Sequence, residues 1–241
     1  MDKSSLMIIG AHCGDGEIQA GAIASKYARN GHKVTFLHLT AGEKGNPPNR
    51  TTEQYRLQKI QEAKEAAAII GAESIILDYK DAELQADRGI IEEVSTVIRE
   101  RRPNVVITHW TESIHRDHRL CAEIVKEAQL MAGLPGFKLD GLPPHYFSYY
   151  HSENWEDMEG YEPDIYIDVS EDFDKYLEVI SSYWFVKHSK AFRYFDYYKA
   201  LGTVRGCLQR TEYSQTLKFP VGTNIRKTEA IPGMPVSDKE N

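Results

Sequence analysis

Two short clusters hold the residue types that do metal and acid–base chemistry. One runs Ala11-His12-Cys13-Gly14-Asp15-Gly16-Glu17, the other His109-Trp110-Thr111-Glu112-Ser113-Ile114-His115-Arg116-Asp117-His118. His12 and Asp15 stand three residues apart in a turn, and His118 could join them from a neighbouring strand end, giving two imidazoles and one carboxylate. Three protein ligands leave a position open on a tetrahedral ion, which is the ligand count of a catalytic site and not of a structural one. Ferrous iron uses the same ligand types, so Zn2+ and Fe2+ both stay open. The pattern H-x-x-D alone is common in turns and describes a cap as well as a ligand pair.

These clusters must be brought together by the elements before them. They follow two β-branched runs, Leu6–Ile9 and Val105–Thr108, and in an open parallel sheet ligands bind beyond the carboxyl ends of strands. Between them the spacing predicts a helix Gln19–Asn30 closed by Gly31, a strand Val34–Leu39, and the turn Thr40–Gly45. A capping box Thr51-x-x-Gln54 opens a helix ending at Ile70–Gly71, followed by a strand Ser74–Leu77 and a helix Asp87–Arg99 broken by Pro103. Alternating strand and helix of this kind means an α/β, Rossmann-like, mostly parallel sheet flanked by helices.

Beyond residue 110 the pattern predicts a helix Asp117–Met131, strands His145–Tyr150 and Ile165–Val169, and a helix Glu171–Lys187 capped by Ser170. The C-terminal portion is mixed and aromatic. Eight aromatic side chains crowd residues 183–198, suited to packing on the sheet or a neighbouring subunit, or to stacking on a sugar. Residues 1–220 read as a single domain, and the polar tail 221–241 as extended or disordered.

Composition narrows the function classes. The 241 residues are 41% hydrophobic, enough for a core that needs no metal to hold it. Three cysteines, Cys13, Cys121 and Cys207, are odd in number and widely spaced, which predicts reduced thiols, with Cys121 and Cys207 small buried residues. Lys plus Arg is 29 against 36 Asp plus Glu, a net charge of -7 without a basic stripe, which argues against nucleic acid. Leu6–Ile9 is too short for a signal h-region and no later run suits a membrane span, so the reading is cytoplasmic.

The order strand, Ala-His-x-x-Asp-x-Glu-Ile, Leu-Thr-x-Gly-Glu-x-Gly, an Ala-rich helix ending Ile-Gly, Val-Val-x-Thr-His and His-x-Asp-His resembles the PIG-L/LmbE-like family of zinc-dependent de-N-acetylases. The resemblance runs from Leu6 to His118 and resumes weakly at Arg205-Gly206 and Glu212-Tyr213. It implies a Rossmann-like fold, an N-acetylglucosamine-like conjugate as substrate, and His12, Asp15 and His118 as zinc ligands. It also implies that His115 stabilises an oxyanion and that Asp117 orients that imidazole. Together with the aromatic C-terminal half it suits a homo-oligomer.

This chain departs from the family at one critical position. The family reads Ala-His-Pro-Asp-Asp, with its first aspartate as general base; here Cys13 and Gly14 replace Pro-Asp. A positioned base contributes about 10²–10⁴-fold in rate. Glu17, Glu43 or the His115–Asp117 pair could take the proton instead. Alternatively the site serves another substrate, or the chain is an impaired homologue that keeps its metal and binds a sugar-like ligand. Glu43, Arg56 and Trp110 are the substrate-binding candidates, Trp110 and Tyr149 as faces for a pyranose.

Overall fold

In a computed structural model the strand–helix alternation becomes one seven-stranded sheet with helices packed on both faces. The structure describes residues 3–157, 159–220, 231 and 234. The strands are β1 (Ser5–His12), β2 (Lys33–Thr40), β3 (Glu73–Tyr79), β4 (Val105–Thr108), β5 (Ser148–Ser152), β6 (Ile165–Asp168) and β7 (Ser214–Lys218). The helices are α1 (Asp15–Arg29), α2 (Thr52–Ile70), α3 (Arg88–Arg101), α4 (Arg116–Gly133), α5 (Phe173–Ser181), α6 (Trp184–His188) and α7 (Tyr194–Gln209). The sheet order is β3-β2-β1-β4-β5-β7-β6, with the first five neighbours parallel and β7 antiparallel to both β5 and β6.

Side chains alternate across a strand, so β1, buried along its whole length, feeds two cores at once. Leu6 and Ile8 join Phe36, Ile23, Ala63 and Tyr176 under α1, α2 and α5. Met7 and Ile9 join Leu37, Val94, Ile98 and Val125 under α3 and α4. Each such fully buried aliphatic side chain contributes roughly 1.5–3 kcal/mol. The strand order reverses between β1 and β4, which opens the crevice of a doubly wound sheet beyond their carboxyl ends. His12 is the last residue of β1, and His109 follows β4 directly.

Some boundaries differ from expectation for physical reasons. Helix α1 starts at Asp15, not Gln19, because the acidic residues Asp15 and Glu17 suit a helix N-terminus; the first cluster is thus a strand end plus a first helical turn. The predicted helix Glu171–Lys187 is split. Tyr183 turns extended, with φ −77° and ψ 127°, and buries its ring completely. Ser170 does not cap it: its hydroxyl donates to Asp168 Oδ1 at 2.6 Å. Strand β5 begins at Ser148, since His145 is held instead by its Nε2 at 2.7 Å from the Pro103 carbonyl.

Strand β7 had no apolar signal. Its inner residues are polar: Gln215 Oε1 accepts from the Ile23 N–H at 3.0 Å, and the Thr216 hydroxyl donates to Glu153 at 2.8 Å. Cys207 is exposed, whereas Cys13 and Cys121 are buried. The tail expectation for 221–241 lies outside the described residues, except that Ile231 and Met234 are buried and hydrogen-bond to the Tyr27 hydroxyl. No helix among the described residues is long and apolar enough to cross a membrane.

Candidate metal centre

The end of β1, the start of α1, the β3–α3 loop, the start of α4 and the loop after β5 enclose a cavity of ≈ 570 Å³. His12, Asp15, Asp81, His115, His118 and Glu156 line its inner part, and Tyr55, Trp155, Trp184, Phe185 and Tyr194 its aromatic outer walls. Gly42 lets the second loop approach: it has φ +75°, and a Cβ there would lie 2.9 Å from the His12 Cβ.

Three imidazoles converge on one oxygen. Asp15 Oδ2 lies 2.9 Å from His12 Nδ1, 3.3 Å from His118 Nε2 and 3.3 Å from His109 Nε2, and accepts from the His12 N–H at 2.8 Å. Ligand atoms on a tetrahedral zinc with 2.0–2.1 Å bonds stand ~3.3 Å apart. The His12–Asp15 and Asp15–His118 spacings are compatible with that figure, but the predicted trio His12, Asp15 and His118 is not itself one of the groupings that could hold an ion among the described residues. His109 differs, because its Nε2 already accepts the Ala11 N–H at 3.0 Å; it anchors the β1 end. The described residues offer three groupings able to hold an ion: His12/His115/His118, Asp15/His109/His118 and His12/Asp81/Asp117.

Electrostatics supports the fit. Burial pulls the His12 imidazole down, but the nearby carboxylates of Asp15, Asp117 and Asp81 hold it well above the usual histidine range. For His118 burial is likewise outweighed by Asp15 and Glu156, which raise it to about 9. Burial opposes ionisation of Asp15, yet the charges of His118 and His12 hold its carboxyl well below the usual range. Protons on these imidazoles balance Asp15 where a cation would otherwise do so.

His12 and His118 each have a carboxylate near the ring nitrogen that faces away from Asp15, the arrangement that orients imidazoles on metals. His12 Nε2 is 3.2 Å from Asp81 Oδ1 and 3.6 Å from Asp117 Oδ2, and His118 Nδ1 is 3.1 Å from Glu156 Oε2. Sequence reading missed Asp81 and Glu156. Asp81 had a usable signal, its place just beyond β3; Glu156 sits in an irregular turn with none.

His115 caps α4: its Nδ1 accepts the Asp117 N–H at 3.2 Å, which leaves the proton on Nε2. Burial and then the charges of His118 and His12 depress its pKa, so it is a neutral donor. Asp117 was expected to orient His115 through its carboxylate; it does so only through its backbone N–H. Its Oδ2 accepts the Ala82 N–H at 2.8 Å and faces His12.

The remaining candidates do not reach the cavity. Glu17 is fully buried beneath it, 3.5 Å from His38 Nε2, with burial raising its pKa. Glu43 accepts the Asp81 N–H at 3.1 Å and faces Arg56 at 3.5 Å, so it positions Asp81. Arg56 also pairs with Asp78. Trp110 is buried and donates to the Glu159 carbonyl at 3.2 Å.

At the odd position 14 the backbone has φ +103°, and a Cβ would meet Phe185 Cε1 at 3.1 Å and Tyr183 Cε1 at 3.3 Å. Aromatic rings fill the space that a side chain would take. The Cys13 thiol is buried, which pushes its pKa up and makes it inert packing.

Comparison with known proteins accords with this architecture. Diacetylchitobiose deacetylase of Thermococcus kodakarensis is 33% identical over 168 residues, covering 64% of this chain and 63% of its own length. A 4-oxalmesaconate hydratase of Pseudomonas putida is 26% identical over 216 residues, covering 85% of this chain and 80% of its own. The structure of 4-carboxy-2-hydroxymuconate hydratase from Pseudomonas putida superposes with a TM-score of 0.82 at 23% identity, covering 92% of this chain and 98% of that one. The family model described as PIG-L, GlcNAc-PI de-N-acetylase, matches residues 7–129, just over half the chain, and the chain belongs to that family.

Proposed function

We propose that this chain removes an N-acyl group, acetyl above all, from an N-acetylglucosamine-like conjugate, with a divalent ion held by His12, Asp15 and His118. The observation that carries the reading is the convergence of His12 Nδ1 and His118 Nε2 on Asp15 Oδ2 at the base of an aromatic-walled cavity. Zinc there would polarise the acyl carbonyl and lower the pKa of water; ferrous iron has the same ligand preferences.

The residues divide the remaining work. His115 presents Nε2–H to the cavity, where a developing oxyanion would accept it; one such donor is worth about 10²–10³-fold. Asp81, Asp117 and Glu156 fix the ligand imidazoles. The aromatic walls give a pyranose apolar faces to lie on. Since position 14 carries no base and His115 already holds its proton on Nε2, the cavity-lining carboxylates left to take a proton are Asp81 and Glu156.

A second reading is hydration of an unsaturated carboxylate. The hydratase relative that aligns over 85% of the chain, against 64% for the deacetylase, favours it. The test is acetate release from N-acetylglucosamine conjugates beside loss of ultraviolet absorbance from a conjugated dienoate, both with zinc-loaded protein. Acetate release that His118→Ala abolishes supports deacylation. Absorbance loss alone favours hydration, and neither activity with retained sugar binding leaves the impaired homologue.

A further inference from the structure

Lys59 is a buried lysine that the chain satisfies only in part, with Asp15, Glu62 and Glu17 attracting it from beyond ion-pair distance. It lies on the inward stripe of α2 with Tyr55, Glu62 and Ala63, is 5% exposed, and lines the cavity. Its ammonium donates to the Cys13 carbonyl, between two of the predicted ligands, and sits 4.0 Å from the Phe185 ring centroid and 5.2 Å from that of Tyr183. Among the described residues it forms no ion pair within 4.0 Å and no second hydrogen bond. An ammonium has three donors, and burying a charge without partners is costly.

Arg99 shows how this fold treats a buried cation that is purely structural. Its guanidinium is 2% exposed, and it donates to five carbonyls, those of Met131, Ala132, Leu134, Phe137 and Leu142, at 2.8–3.1 Å. Every donor is used. Lys59 keeps two N–H groups free at the cavity wall, on the side where Gly14 removes any carboxylate and Phe185 supplies an aromatic face. The charges of the lining agree: three carboxylates, Asp15, Asp81 and Glu156, face two ammonium groups, Lys59 and Lys190, so a bound dication leaves one positive charge in excess.

We propose that Lys59 receives a carboxylate carried by the substrate itself, so that the cavity selects an acidic conjugate over a neutral one. This rests on the reading of the cavity as the active site and deepens it by naming the substrate class. Lys59 would be a specificity-determining residue, and the anion would take the two donors that the fold leaves open.

The test is calorimetric binding of succinate, succinamide and acetate to zinc-loaded and zinc-free protein. In the wild type succinate should bind at least tenfold tighter than acetate or succinamide, since only it offers one carboxylate to the metal and a second to Lys59. Lys59→Met should bring succinate to within about twofold of acetate, and Lys59→Arg should keep most of the preference. Equal binding of the three, or a succinate preference that survives Lys59→Met, overturns the proposal. Acetate weakened as much as succinate by Lys59→Met also overturns it, because Lys59 would then hold a lone carboxylate.

Should Lys59→Met not fold, lysine side-chain NMR of the wild type decides. The Lys59 signal, assigned by its absence in Lys59→Arg, should shift with succinate and stay put with succinamide, and an unmoved signal contradicts the proposal. These readouts do not use turnover. Absent acetate release with intact Lys59-dependent binding would fault the reaction, not the anion site.

Discussion

Gly14→Ala isolates the backbone conformation and the ring packing at position 14. The backbone there, at φ +103°, is one that L side chains rarely adopt, at a cost of roughly 1–2 kcal/mol. A Cβ would also stand 3.1 and 3.2 Å from two atoms of Phe185 and 3.3 Å from Tyr183, tight enough to displace a ring, and overpacking of this kind costs about 1–3 kcal/mol. Together these give about 2–5 kcal/mol, and for a chain of this size a fall in Tm on the order of 4–20 °C. Thermal unfolding of Gly14→Ala, Phe185→Ala and the double variant separates the parts. The packing part should vanish in the Phe185→Ala background, leaving only backbone strain. A Gly14→Ala protein within 2 °C of the wild type, or no coupling to Phe185, would refute the reasoning. On the same grounds Gly14→Asp gains no rate unless Phe185 is also reduced, since its carboxylate has no room to reach the cavity.

Other consequences are open to measurement. His118, raised to about 9 in the folded chain against an ordinary value near 6.5, stabilises the metal-free protein fully below about pH 6.5, and that contribution is lost as pH rises through 9. Up to about 3 kcal/mol is at stake, so Tm of metal-free protein should fall between pH 6.5 and 9, while that of zinc-loaded protein does not. Because zinc must displace that proton, loading at pH 7.5 should release about one proton from His118 in addition to any from His12, detectable by calorimetry in two buffers. Glu156→Gln removes the carboxylate behind His118 and should weaken zinc about 10–100-fold with little change in fold. Arg99→Met strands five carbonyls and should cost about 3–5 kcal/mol in a urea titration while leaving metal content unchanged.

The first half of the molecule was legible because its strands are apolar and its punctuation strong. Thr51 and Gln54 form the reciprocal cap their spacing implies, and Gly71 ends α2 with φ +83°. What escaped notice depends on contacts distant in sequence. Strand β7 is polar because it is completed by Glu153 and by the α1 backbone, so no period marks it. Tyr183 breaks a good helical pattern because its ring fits beneath Gly14, 169 residues away in the chain.

The candidate site divides in the same way. His12, Asp15, His115 and His118 lie in two local motifs and meet at the cavity. Glu17 and Glu43 stand in those motifs or just after a strand, yet one faces His38 below the floor and the other is bonded to Asp81 N–H and Arg56. Sequence position told which loop a carboxylate belongs to, but only packing told which way it points. Lys59, between Gln58 and Ile60 on α2, reads from sequence as a solvated helix face or as a group for an anionic substituent, and its burial excludes the first.

If the proposal holds, His12, Asp15 and His118 bind one divalent ion for chemistry and not for folding. Elemental analysis of the purified chain, with zinc titration of protein stripped by a chelator, tests it most directly. One ion per chain is expected, lost in His12→Ala, Asp15→Ala and His118→Ala, with the far-ultraviolet circular dichroism of the stripped protein unchanged. A metal-free chain with no affinity for zinc, or one whose ion survives Asp15→Ala, would contradict it.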